Sequence, residues 1–420
     1  LIFTFLILIV VRIGCLIPAP GINAEAVNEL LKNVLGESQN MLNQFTGGSL
    51  SKMSVFALNV TPYITSSIIM QLLTIAIPAL EEMQRDGEDG RKKITAITRF
   101  LTVGLGILES IGLAIGFGRQ GAFDNYNFYS VFVIVITLTA GSTLVMWLGE
   151  RISESGVGNG ISIILLINIV SRMPADFTSL YEMFIKDKEL VNGVVAAVII
   201  VAVVLGTAVL VVLLQSAERR IPVQYAKQVK GRKLTGGQSS YIPLKVNTSG
   251  VIPVIFASSL LSIPSIVTNL LSLETGTVLE KIMQGMNSNY WFNLDYPWAS
   301  VGLLVYVLLV IFFAYFYTSI TFNPMEVANN MKKGGGFIPG IRPGKPTQDY
   351  LNKVLNHVVF IGVVGLLIVA LIPIFFNGMF NANVSFGGTS LIIIVGVILD
   401  TIKQLESQML VRHYSGFLND

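Results

Sequence analysis

Two glycine-rich motifs are the first places in this 420-residue chain to look for chemistry, and neither is built as a phosphate cradle. GVGNG at 156–160 does not follow a strand, which argues against a dinucleotide site. PGKPT at 343–347 lacks the leading glycine of a phosphate loop, and Pro346 stands where Ser or Thr would hold magnesium. The chain therefore carries no nucleotide engine, and directional work must come from a partner or a gradient. His357 and His413 are the only histidines and Cys15 the only cysteine. That composition rules out an internal disulfide and a cysteine metal cluster, and leaves no basis for histidine catalysis. No cofactor and no catalytic residue is expected.

Ionisable groups inside apolar segments would mark ion coupling. Arg12, Glu109 and Arg172 lie within such segments, Asp400 lies near the end of another, and Glu150 lies just beyond one. That is few for a proton relay, and pairing of Glu109 with a polar neighbour or with Arg12 is the expected structural role. The apolar segments otherwise offer aliphatic residues at one-face spacing. Val60 and Ile64 are i, i+4, as are Ile161 and Leu165; Ile255 follows Pro253, and Ile393 follows GGTS. On their own these are ordinary residues of a membrane helix.

The elements that must position these groups are set by hydropathy. Hydrophobic residues make up 52% of the chain and charged residues 13%, with a formal net charge of +3. Apolar runs recur at 1–17, 58–80, 100–118, 129–148, 157–173, 191–214, 250–273, 298–321, 354–376 and 389–405. A bilayer core needs about 20 apolar residues per helix, so most of these runs can span. Of the 28 Lys and Arg, 20 lie in the even-numbered connections or at the C-terminal end from Lys403 onward. Basic loops stay in the cytoplasm, so both termini are expected there. The expected fold is all-α and polytopic: ten transmembrane helices in two inverted five-helix halves, 1–173 and 191–420, joined by a polar hinge at 174–190. NVTPYITSS (59–67) and GVIPVIFAS (250–258) coincide at valine, proline, isoleucine and serine, a weak repeat at each half's second span. The chain begins at Leu1 inside an apolar run, which suggests an N-terminal segment ahead of it rather than a signal peptide.

Three segments break the pattern. The first, 18–57, opens with PAPG and continues as a short amphipathic helix at 24–35. Its stretch 41–53 is half apolar, too short to span and interrupted by Gly47-Gly48. Irregular backbone sits at membrane depth only when buried in protein or lining water, so a re-entrant plug and an exposed outer loop are both open. The second, 216–249, carries Arg219, Arg220, Lys227, Lys230, Arg232 and Lys233, and its alternation predicts a projecting β-hairpin. The third, 322–353, holds GGGFIPGIRPG with Arg342. Long, basic and punctuated by turn residues, the second and third segments fit a docking platform for anionic partners: lipid headgroups, acidic proteins or RNA phosphate.

In order and spacing, the motifs PAPG (18–21), FTGGS (45–49), WLGE (147–150), GNGIS (158–162), ERRIPVQYAK (218–227), PLKVN (243–247), FNP (322–324), GFIPGIRPG (336–344) and FGGTSL (386–391) resemble the bacterial SecY family of protein-secretion channel subunits. The resemblance covers essentially the whole chain. It implies an hourglass pore between two halves in the cytoplasmic membrane, passing unfolded polypeptides across and releasing apolar segments sideways into lipid. It places a constriction at Val60, Ile64, Ile161, Leu165, Ile255 and Ile393, and a plug at Phe45, Thr46, Gly47, Gly48, Ser49, Leu50, Ser51 and Lys52. It puts lateral-gate positions at Thr65, Gln71 and Asn247, and the docking surface for the SecA ATPase motor and the ribosome on the two basic loops, with Arg342 at its key position. It also implies small SecE and SecG subunits, signal peptides and nascent chains as partners, and no DNA. A secondary transporter of a small solute shares inverted halves and broken helices, but would need a polar midplane pocket. A scaffold that only docks ribosomes would not need the glycine-broken outer segment.

Overall fold

The structure, a computed structural model, describes the chain except residues 1, 25, 29–45, 124, 185–189, 226–227, 231–232, 236–238, 259, 262–284, 287–290, 292–299, 381–387 and 416–420. The chain forms two compact units, Leu1–Leu180 with Val397–Asp420, and Tyr181–Gly396.

The first unit opens with α1 (Ile2–Gly14), after which the chain turns at Pro18. The Ala19 amide donates to Met53 O at 2.9 Å and the Val55 amide to Ile17 O at 2.9 Å, so the turn is pinned to the end of the glycine-broken segment. Asn23 caps the helical residues that follow, accepting from the Ala26 amide at 3.2 Å; most of the expected helix at 24–35 lies outside the described residues.

α2 (Thr61–Ala76) starts with Pro62, whose missing N–H is no loss in a first turn. The run 58–80 reads as one span, yet the helix breaks at Ile77. Pro78 bars its predecessor from the helical region, and Ile77 accordingly sits extended at φ −112°, ψ 111°. α3 (Pro78–Arg85) leaves at 106° to α2. A turn at Gly87 (φ +77°) leads into the 32-residue α4 (Glu88–Arg119).

α4 buries Thr98, Thr102, Gly106, Ser110, Ala114 and Gly118, small residues four apart on one face. α5 (Phe128–Ser155) packs there, with Ser110 Oγ and Thr139 Oγ1 3.2 Å apart. Lipid tails are as apolar as the helices, so close approach and interhelical hydrogen bonds hold such pairs together. α6 (Gly160–Phe184) then runs through Pro174 without ending, so helix extends into the expected hinge.

GVGNG proves to be the tight α5–α6 turn. The Val157 amide donates to Thr4 Oγ1 of α1 at 3.3 Å, and a Cβ at Gly160 would lie 1.9 Å from Gly149 O. The helices approach too closely there for any side chain, which accounts for the glycines without a phosphate.

The second unit contains α7 (Leu190–Ser216), α8 (Ser300–Thr321), α9 (Pro324–Lys333), α10 (Lys345–Phe380) and the start of α11 (Gly388–Ser415). Its core gathers Val211, Val254, Trp291, Tyr306, Val310, Leu366 and Ile392. Buried Trp291 satisfies its indole N–H on Gly285 O at 2.8 Å.

The fold is mostly helical, but the all-α expectation needs correcting. β1 (Glu218–Tyr225) pairs antiparallel with β4 (Ser239–Lys245), from Glu218↔Lys245 to Gln224↔Ser239. Between them β2 (Gln228–Lys230) and β3 (Lys233–Thr235) form a smaller hairpin, and β5 (Gly336–Phe337) adds to the free edge of β1. Strand alternation buries Ile221 and Val223 on one face, where they join Ala328, Met331, Ile338, Leu351 and Leu355.

Among the described residues, six helices are long and apolar enough to cross a membrane: Glu88–Arg119, Phe128–Ser155, Gly160–Glu182, Ala197–Ser216, Ser300–Lys333 and Lys345–Phe375. The bent pair Thr61–Ala76 and Pro78–Gln84 makes a seventh if taken as one span. Of the other apolar runs, 1–17 holds the 13-residue α1, 389–405 is helical within α11, and 250–273 lies partly outside the described residues.

Candidate functional site

The described part of the glycine-broken segment, residues 46–53, is largely buried or half-buried in protein. Thr46, Ser49, Leu50 and Met53 are all buried, Ser49 and Met53 completely. Ser49 Oγ lies 2.8 Å from Thr46 O and 2.9 Å from Phe56 O, which ties the turn to the stretch before α2. Ser51 Oγ donates to Gly48 O at 2.8 Å. Gly47 and Gly48 take φ of +65° and +81°, values that other residues adopt only with strain. Lys52 is exposed, and Phe45 lies outside the described residues.

Arg12 reaches this segment from α1. Its Nη1 donates to Gly47 O at 3.4 Å and to Asn168 Oδ1 of α6 at 3.5 Å. Of the two partners expected for Glu109, a polar neighbour or Arg12, the pairing with Arg12 is therefore not made, and Glu109 forms no ion pair among the described residues. Asn59, Asn168 and Arg172 are neighbours that reading the sequence missed as site residues. Asn59 is fully buried at φ +49°, donates to Cys15 Sγ at 3.7 Å, and accepts from the Val60 amide at 2.9 Å. A sequence signal did exist for Arg12 and Arg172, two arginines inside apolar runs.

Four expected constriction residues share one apolar cluster. Buried Val60 and Leu165 and half-buried Ile64 and Ile161 pack with Val11, Phe56, Val145, Leu148, Ile152 and Ile164. Val55 and Phe56 lead out of the glycine-broken segment into this cluster, so plug candidate and constriction candidates are contiguous within the first unit. In the second unit Ile255 is half-buried beside buried Val254, and Ile393 is buried beside Ile392.

The lateral-gate candidates differ in setting. Thr65 Oγ1 donates to Thr61 O at 3.1 Å, so its hydroxyl is spent within α2, whereas Gln71 is exposed on that helix. Asn247 is buried at the end of the β1–β4 ribbon. Its Nδ2 has no partner among the described residues and borders a cavity of about 10 Å³ with Ser249, Thr318 and Gly362.

The described docking candidates lie on or beside two small sheets, the three-stranded β4–β1–β5 and the separate β2–β3 hairpin. Arg219 and Arg220 are exposed on β1. Arg220 Nε donates to Glu218 Oε1 at 2.6 Å and its guanidinium lies 4.8 Å from the Tyr241 ring. The hydrogen bond to Glu218, with Tyr241 beside it, raises an already high pKa, so the group stays cationic. Lys230 and Lys233 face each other in register across β2–β3, while Lys227 and Arg232 lie outside the described residues. β5 ties the Arg342 loop to the sheet of β1. Arg342 is exposed, and its carbonyl accepts from Thr347 Oγ1 at 2.8 Å; buried Ile338 anchors the loop. Among the described residues, no group of three or more His, Cys, Asp or Glu is placed to hold a metal.

A family model described as SecY matches residues 54–402. The protein translocase subunit SecY of Streptomyces scabiei is 44% identical over 435 residues, covering 100% of this chain and 96% of that protein. The chain belongs to the SecY family. The corresponding subunits of Mycobacterium tuberculosis and Thermotoga maritima are 43% and 42% identical over 440 and 429 residues, covering 96% and 94% of those proteins and all of this chain. Among solved structures, a protein-conducting channel aligns with a TM-score of 0.63 at 18% identity, covering 97% of this chain and 92% of its own. Canine Sec61 in a ribosome–channel complex aligns at 0.62 and 17%, with the same coverage. As a SecY-family member, the chain is a multi-pass membrane protein and a protein-conducting translocation channel, a transport protein rather than an enzyme.

Proposed function

We propose that this SecY-family chain seals its resting pore with the plug at 45–52 and an aliphatic ring of Val60, Ile64, Ile161, Leu165, Ile255 and Ile393. On this reading the remaining apolar runs complete ten spans in two inverted halves, 1–173 and 191–420, linked by 174–190, with both termini in the cytoplasm. The observation that carries it is the contiguity of the buried glycine-broken segment with the cluster of Val60, Ile64, Ile161 and Leu165. An apolar ring can dewet and block ions, and having no fixed hydrogen bonds it can close around any passing side chain. Lateral release past Thr65, Gln71 and Asn247 sorts substrates by hydropathy. Leu or Ile gain about 0.3–0.6 kcal/mol each at the bilayer centre, whereas Lys or Asp cost about 2.5–3.5 kcal/mol.

The exposed arginines on β1 and in the 322–353 loop are the docking surface for a SecA-type motor and for the ribosome. SecE- and SecG-type subunits complete the translocase, anionic lipids surround it, and signal peptides open it. Replacing Ile64 with Asn tests the ring. An unpartnered amide in that cluster costs about 2 kcal/mol unless water reaches it. Resting ion leak in planar bilayers rises, and precursors with defective signals are accepted. Unchanged leak with unchanged rejection of defective signals would remove Ile64 from the ring.

A further inference from the structure

We propose that Arg12 and Arg172 are positioning residues that latch the plug shut by its backbone, a role that rests on the plug reading above. Arg12 comes from α1 and Arg172 from α6, two elements that meet the glycine pair from different directions. Arg12 Nη1 is shared between Gly47 O and Asn168 Oδ1, at 3.4 and 3.5 Å. A Cβ built on Gly48 would stand 3.2 Å from Arg172 Nη1, which puts that guanidinium directly over the second glycine. Arg172 Nε is buried with no hydrogen-bond partner among the described residues. No carboxylate among the described residues lies within ion-pair distance of either arginine.

Among the described residues Arg12 is thus left to neutral acceptors, one of which belongs to the plug, and Arg172 stands close to the second glycine without an ion-pair partner. A charged donor strengthens a hydrogen bond to a carbonyl, the more so away from water. The glycines complete the device. A Cβ at Gly47 would lie 2.7 Å from Arg12 Nη1 and 3.0 Å from Asn168 Oδ1, so a side chain there would push the guanidinium off its acceptors. Gly47 and Gly48 therefore do more than bend the chain; they leave room for two cations to approach the backbone. When the plug moves, Arg12 loses its carbonyl partner, and this resists movement until a translocating chain supplies other contacts.

The test uses the full chain, reconstituted with its small partner subunits, in a Cys15→Ser background. A single cysteine replaces buried Leu50, and its labelling by an impermeant maleimide added from the outer side reports plug displacement. Arg12→Gln should raise the labelling rate about tenfold, roughly the worth of one charge-assisted hydrogen bond, and Arg172→Gln should raise it in the same direction. Gly47→Ala, which keeps both arginines, should do the same and covers the case in which an arginine variant does not assemble. Arg12→Lys should fall between wild type and Arg12→Gln. In a chain lacking 45–52, the arginine variants should add no further ion leak. Unchanged labelling in Arg12→Gln, Arg172→Gln and Gly47→Ala, with the deletion still leaky, overturns the latch alone. A deletion that does not leak overturns the plug reading on which the latch rests.

Discussion

Deleting residues 45–52 raises the resting ion conductance of the reconstituted channel, while secretory precursors still cross. The segment's hold is countable. Ser49 Oγ has one proton to share between Thr46 O and Phe56 O; the contact that reaches out of the segment, to Phe56 O, is worth about 1 kcal/mol, and burial of Leu50 adds about 2 kcal/mol. Losing about 3 kcal/mol lowers the closed-to-open ratio by somewhat more than a hundredfold. Translocation survives because the aliphatic cluster around Val60, Ile64, Ile161 and Leu165 is untouched. Single-channel recording in planar bilayers checks the first half, and protease protection of a precursor in vesicles the second. A resting conductance equal to wild type would mean that this buried segment is structural filler and not a seal.

Reversing one charge on the proposed docking surface has an equally large effect by another route. Arg342→Glu abolishes ATP-driven translocation and leaves the channel folded. The side chain is exposed, and the loop's shape comes from Ile338, from Thr347 Oγ1 on the Arg342 carbonyl, and from pairing of β5 with β1, none of which the substitution touches. An exposed charge pair contributes at most about 1 kcal/mol, so motor affinity falls only severalfold. Loss of transport at near-normal affinity then locates the effect in coupling of motor binding to channel opening. Lysine is a poor replacement because it lacks the planar fork that engages a carboxylate or phosphate bidentately. Titrating motor affinity and motor-stimulated ATP hydrolysis separately distinguishes the two steps. Normal transport by Arg342→Glu would reduce the loop to a topology signal.

The elements that were legible in the sequence are those governed by short-range pattern. Alternation of Val223 and Tyr225 and the glycine-rich turn at 236–237 predict a β-hairpin, and the pairing of β1 with β4 is observed. Membrane helices follow from run length. What was not legible depends on contacts distant in the chain. β5 is two residues long and pairs with a strand more than a hundred residues earlier, so no local pattern announces it. The break at Ile77 had a sequence signal in Pro78, but the surrounding run is apolar enough to hide it.

The candidate site divides the same way. Gly47-Gly48 marks an irregular segment, yet that it packs into protein shows only in Ser49 and Met53 being inaccessible, which no spacing encodes. The spacing of Val60 with Ile64 and of Ile161 with Leu165 is common to membrane helices, and only family resemblance picks them out. Their shared cluster comes from α2 and α6 meeting, a property of the fold. Arg12 is conspicuous in an apolar run, but its partners lie 35 and 156 residues away.

The central claim is that this chain conducts unfolded polypeptide across a membrane. Its most direct test is protease protection of a radiolabelled secretory precursor. The chain and its small subunits are placed in vesicles of anionic and zwitterionic lipid, and a SecA-type ATPase and ATP are added outside. The account predicts ATP-dependent accumulation of full-length protected precursor, lost when the signal peptide is removed. Precursor that stays fully digestible in vesicles shown to hold folded, motor-binding channel would contradict it.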